Sequence, residues 1–121
     1  MKQKSIVLFI EDDDQLRETV QMIIESTGRD AWLARNGREA IELLGRQKDV
    51  LPDLIILDMM MPEMGGAEFL EKKSLDPRIG PIPVIVATAV RSLQFPEGAV
   101  KLRHKPFELQ ELIEDMDALC P

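Results

Sequence analysis

Four kinds of side chain in this sequence could act together on a charged group. The stretch 54–66 reads LIILDMMMPEMGG, an apolar run that ends on a carboxylate, Asp58, before Pro62, Gly65 and Gly66 turn the chain. The run 6–10, IVLFI, likewise ends on acids, Glu11-Asp12-Asp13-Asp14. A third run, residues 84–87, leads into Thr88, and Lys105 follows a short apolar stretch at residues 99–102. A carboxylate cluster without cysteine or a nearby histidine selects a hard cation, Mg²⁺ or Mn²⁺, rather than zinc. Such a cation, a hydroxyl and a fixed ammonium around one carboxylate form a site for charge-rich groups. Phosphoryl transfer asks for little more than positioning and neutralisation, and an aspartate can itself be the acceptor. An Asp after a strand also serves simply to start a turn, so the surrounding elements decide.

Runs 6–10 and 54–57 show no polar alternation, as expected of strands buried on both faces of a parallel sheet. Between them, Leu16, Val20, Ile23 and Ile24 recur at helical spacing up to Gly28, residues 31–34 form a short strand, and Asn36-Gly37 precedes a helix marked by Ala40, Ile41, Leu43 and Leu44. Ala67, Phe69, Leu70 and Leu75 mark a third helix closed by Asp76-Pro77, and Leu109, Leu112, Ile113 and Met116 a last one from Glu108. Strands alternating with helices give βαβ units, hence a flavodoxin-like, doubly wound five-stranded parallel sheet of order 2-1-3-4-5. That order brings Glu11, Asp12 and Asp58 to one sheet edge, where three carboxylates repel one another unless a cation sits among them. Asp12 with Gln15 reads as a capping box, and Asp13 and Asp14 as solvated acids at a helix start. Met59, Met60, Met61 and Met64 read as packing beneath the loop rather than as a metal run, and His104 as a solvated loop residue.

Composition sets outer limits. The 121 residues suit one domain, 1–121, with a single core, and 45% apolar with 31% charged residues is ordinary for a globular chain. A net charge of −7 argues against a general nucleic-acid or anionic-membrane surface. The lone cysteine, Cys120, cannot form an intrachain disulfide, and the apolar run 6–10 is too short for a signal peptide. No transmembrane span is evident, so the cytoplasm is the expected compartment.

Taken together, Glu11-Asp12, LDMMMPEMGG around Asp58, Thr88-Ala89 and Lys105-Pro106-Phe107 resemble the receiver domain of two-component response regulators, in the family's order and from about residue 4 to 119. The resemblance implies that Asp58 is the phosphoacceptor, with Mg²⁺ held by Glu11, Asp12, Asp58 and the backbone carbonyl of Met60. It also implies that Thr88 and Lys105 contact the phosphoryl group and that the Lys105–Pro106 peptide is cis. The donor would be a histidine kinase or phosphotransfer protein; the output protein is not specified. No direct nucleic-acid or membrane partner, and no metabolic turnover, is expected.

Two departures from the family pattern stand out. Only 17 steps separate Thr88 from Lys105, fewer than usual, which places a deletion in the helix before the fifth strand and leaves residues 90–100 as loop or one short turn. The family's aromatic switch position falls on Leu102. A phosphorylation-independent adaptor that docks through residues 89–103 is the alternative. An Asp-nucleophile phosphatase is disfavoured because Met60 stands where a second acid is needed. A flavin carrier is disfavoured because the first turn is acidic.

Overall fold

A computed structural model describes residues 4–61, 63–90 and 94–120. Its elements in chain order are β1 (Ile6–Ile10), α1 (Asp14–Ser26), β2 (Asp30–Ala34), α2 (Gly37–Arg46), β3 (Leu54–Leu57), α3 (Gly66–Leu75), β4 (Val84–Thr88), β5 (Lys101–His104) and α4 (Leu109–Leu119). The five strands are all parallel and lie in the order β2-β1-β3-β4-β5, as the pattern of runs and helices predicts.

The three central strands are fully buried, which is why their sequences are continuous apolar runs. Alternate residues feed two cores. Leu8, Ile10, Ile55, Leu57, Val84 and Val86 pack with Ala40, Leu44, Phe69 and Leu70 of α2 and α3. Val7, Phe9, Leu54, Ile56, Ile85 and Ala87 pack on the other face with Val20, Ile24, Leu112 and Met116 of α1 and α4. The outer strands are only partly buried and carry charge, Asp30 on β2 and Lys101 and Arg103 on β5. Leu75, at the end of α3, is exposed rather than part of the core.

Three boundaries differ from the sequence expectation. The cap of α1 is Asp13, whose carboxylate accepts from the Leu16 amide at 3.0 Å, not Asp12. Glu11 Oε2 accepts from the Asp13 amide at 3.2 Å, so the chain stays in its turn one residue longer and Asp12 is left outside the helix. Strand β2 starts one residue earlier than expected, at Asp30. Strand β5 runs two residues later than expected: the Ala99 amide is drawn into a turn on the Pro96 carbonyl, and pairing begins only where Val100 N–H meets the Val84 carbonyl at 2.8 Å. No helix occurs among the described residues between β4 and β5, in line with the deletion inferred there; residues 91–93, and Pro62 of the turn after Asp58, lie outside the described residues.

An ion cluster joins β5 to α4. Asp115, with its side chain 1% exposed, accepts from Lys101 Nζ at 2.9 Å and from Arg103 Nε and Nη2 at 2.9 and 2.8 Å, while Arg103 Nη1 also reaches Glu111 at 2.7 Å. Burial raises the Asp115 pKa, but the hydrogen bonds from Arg103 and Lys101 outweigh it and leave the carboxyl below its ordinary 3.8. A carboxyl whose folded-state pKa is depressed contributes stability that is present above the ordinary value and is lost as pH falls through the folded value. Asp115→Ala is therefore expected to lower the unfolding free energy at pH 7 by about 2 kcal/mol, since it removes the carboxylate that Lys101 and Arg103 share and leaves Arg103 with Glu111 alone. Urea unfolding should show that difference shrink below about pH 4; an equal deficit at pH 7 and at pH 3 would contradict the pairing as its source.

Candidate functional site

Three of the functional side chains are positioned by a backbone N–H that extends the sheet ladder by one bond. Glu11 N–H donates to the Ala34 carbonyl and Asp58 N–H to the Ile10 carbonyl, both at 3.0 Å, and Lys105 N–H donates to the Thr88 carbonyl at 2.7 Å. Strands β1 and β3 are neighbours with Ile10 opposite Leu57, so Glu11 and Asp58 leave the same sheet edge side by side. The loop after Asp58 folds back tightly. A Cβ at Gly66 would stand 2.5 Å from Met59 Sδ and 2.8 Å from Met59 Cα, so only glycine lets α3 start this close to the strand end.

Carboxylate oxygens of Glu11, Asp12 and Asp58 all lie within 4.8 Å of one another. Glu11 is 1% exposed and Asp58 4%, whereas Asp12 faces solvent. Lys105 Nζ donates to Glu11 Oε1 at 2.5 Å and stands 3.6 Å from Asp58 Oδ2. The Met60 amide donates to Asp58 Oδ1 at 3.3 Å. Burial, with the Asp58 charge added, lifts Glu11 to about 7 against the pull of Lys105. Burial likewise raises Asp58, although Lys105 and the Met60 amide pull it down. One ammonium is thus too little positive charge for the acids around it. An all-oxygen donor set, two-thirds of it sealed from water and short of positive charge, fits Mg²⁺.

Thr88 is fully buried at the end of β4, and its hydroxyl accepts from the Val90 amide at 3.1 Å. The Lys105–Pro106 peptide is cis, as the resemblance implies. All five predicted side chains thus meet at, or border, one edge of the sheet. Met59, Met61 and Met64 pack against the α2/α3 core as expected, but Met60 is 67% exposed. His104 is not a solvated loop residue: it ends β5 opposite Thr88, and its Nε2 is buried without a hydrogen-bond partner among the described residues. Sequence reading missed Arg17, whose Nη1 donates to the Glu11 carbonyl at 2.8 Å and which also pairs with Asp14. Its signal was a lone cation one helical turn beyond the acidic run.

Sheet order and this edge define a receiver-type phosphoacceptor scaffold, and comparison with known proteins agrees. The family model described as "Response regulator receiver domain" matches residues 7–117. The response regulator MprA of Mycolicibacterium vanbaalenii is 33% identical over 118 residues, 93% of this chain and 49% of that protein. The dual master transcriptional regulator RpaA of Synechocystis is 31% identical over 93% of this chain and 48% of its own length. Among solved structures, the receiver domain of a histidine kinase from Syntrophus aciditrophicus has a TM-score of 0.80 at 32% identity, covering 95% of this chain and 89% of that one. TrrA of Thermotoga maritima, determined in complex with Mg²⁺-BeF, has a TM-score of 0.80 at 26% identity, covering 95% and 98%. The chain belongs to the response regulator receiver domain family. It spans about half the length of the curated relatives it matches.

The geometry separates acids that face the centre from acids that do not. Asp12→Asn is expected to weaken Mg²⁺ binding by about tenfold or more, because it removes one of the three clustered carboxylates. Asp14→Asn, on a residue paired with Arg17 outside the cluster, should change it less than about twofold. Amide chemical shifts followed through a Mg²⁺ titration would measure both, and equal losses would contradict the assignment.

Proposed function

We propose that this receiver domain takes a phosphoryl group onto Asp58 from a phosphohistidine of a histidine kinase or phosphotransfer protein and thereby changes its affinity for an output partner. The observation that carries the reading is the convergence on Asp58 of one ammonium, Lys105, and two further carboxylates, Glu11 and Asp12, at the C-terminal edge of a parallel sheet.

In the transfer, an Asp58 carboxylate oxygen attacks phosphorus, the bond from phosphorus to the histidine nitrogen breaks, and its electron pair stays on the imidazole. Asp58 is held for attack by its ladder bond to Ile10 and by the Met60 amide on Oδ1. Lys105 already bridges Glu11 and Asp58, so its ammonium stands where the equatorial phosphoryl oxygens would gather charge. Thr88 supplies a hydroxyl that would exchange its contact with the Val90 amide for one with the phosphoryl group. Glu11, Asp12, Asp58 and the Met60 carbonyl would hold Mg²⁺, which neutralises charge on the transferring group. No step turns over a metabolite; the chemistry is the domain's own phosphorylation and its reversal.

Incubation with Mg²⁺ and acetyl phosphate should add one phosphoryl mass to the wild-type chain and none to Asp58→Asn, read by intact-protein mass spectrometry. Lys105→Ala should label at least about tenfold more slowly, as expected for loss of one transition-state cation. Equal labelling of wild type and Asp58→Asn would refute the acceptor, and absence of label on either would favour the phosphorylation-independent adaptor.

A further inference from the structure

We propose that the groove between α3 and residues 94–98 is a docking site for an amphipathic helix carrying lysine or arginine, contributed by a partner protein. It is a cavity of about 570 Å³ floored by Met59, Ala67, Leu70 and Pro96 and edged by Glu71 and Glu97.

Its origin is a gap in the helical cover among the described residues. Helices α1 and α4 cover one face of the sheet, and α2 and α3 pack on the other, but the described residues between β4 and β5 supply no helix to complete that second cover. Beside the gap, Phe95 is 58% and Val100 52% exposed, and Leu102 of β5 is only partly buried. An apolar slot beside one helix suits the apolar face of another helix, which engages such a slot through residues at i, i+3, i+4 and i+7. The charge of the occupant follows from the rim. Both charged residues lining the groove are acidic, both are exposed, and the whole chain carries −7. A basic partner gains steering and rim pairing, whereas an acidic one, a second copy of this acidic chain included, meets like charge.

Met59, on the floor of the groove, directly follows Asp58 in the chain. Its assignment as a docking site does not depend on Asp58 being the acceptor.

The probe is a synthetic peptide of about fourteen residues made of leucine and lysine at helical spacing, titrated into the ¹⁵N-labelled full chain. Saturable shifts are expected at the amides of Met59, Ala67, Leu70 and Gly98. The dissociation constant should rise about tenfold in the Glu71→Lys/Glu97→Lys double variant and stay within about twofold for Glu18→Lys/Glu25→Lys, which reverses two exposed acids on α1. Both variants change exposed positions, and a wild-type-like amide spectrum confirms their fold. A leucine-glutamate peptide of the same pattern should not bind. Shifts centred elsewhere, equal weakening by both double variants, or concentration-dependent shifts at the groove without peptide would each overturn the proposal, the last in favour of a second copy as occupant.

Discussion

Burial of Glu11 and Asp58 side by side, with a single ammonium between them, is the constraint from which the rest of the site follows. Parallel pairing of β1 with β3 forces the two carboxylates together, and both are buried. Lys105 relieves part of the strain from the far side, reaching both acids from the end of β5. What remains is a centre that holds protons or cations more firmly than exposed carboxylates would, which is why burial pushes both acids upward. An electrostatically unsatisfied edge of this kind is also prepared for a group that brings phosphoryl oxygens and a divalent cation together, since each compensates the other's charge.

The elements that carry the site are secured unequally. Glu11 and Asp58 hang from central strands whose side chains are fully buried. Lys105 hangs from an edge strand held by one neighbour and by the Asp115 cluster, so its reach depends on polar contacts more than on apolar packing. Thr88 stands between these regimes, on a buried strand but leading into a stretch whose described residues form no helix.

Much of this was legible in the sequence because the central strands are buried on both faces and so write themselves as unbroken apolar runs. Their ends fall on Glu11, Asp58 and Thr88, and the sheet order follows from alternation with helices. The order of acid, acid, hydroxyl and lysine then sufficed to identify the family. Legibility failed where polar contacts set the boundary. The cap of α1 moved to Asp13 because the Glu11 side chain occupies the Asp13 amide, a tertiary commitment that a capping-box pattern cannot register. β5 lies later than its apolar residues suggest because the Ala99 amide turns onto the Pro96 carbonyl, while the charged Lys101 and Arg103 of the strand are held by Asp115 on α4. His104 looked solvated for the same reason: an edge strand rich in cations does not advertise which nitrogen is buried.

The most direct test of the central claim is the unfolding free energy of wild type and Asp58→Asn, each in EDTA and in Mg²⁺, at pH 7.5. With the metal removed, the variant should be the more stable by about 1–2 kcal/mol, because it deletes a buried charge that lacks full compensation. Mg²⁺ at ten times its dissociation constant should then add about 1.4 kcal/mol to the wild type and much less to the variant. A variant less stable than wild type in EDTA, together with no effect of Mg²⁺ on either, would contradict a site built on buried, under-compensated carboxylates.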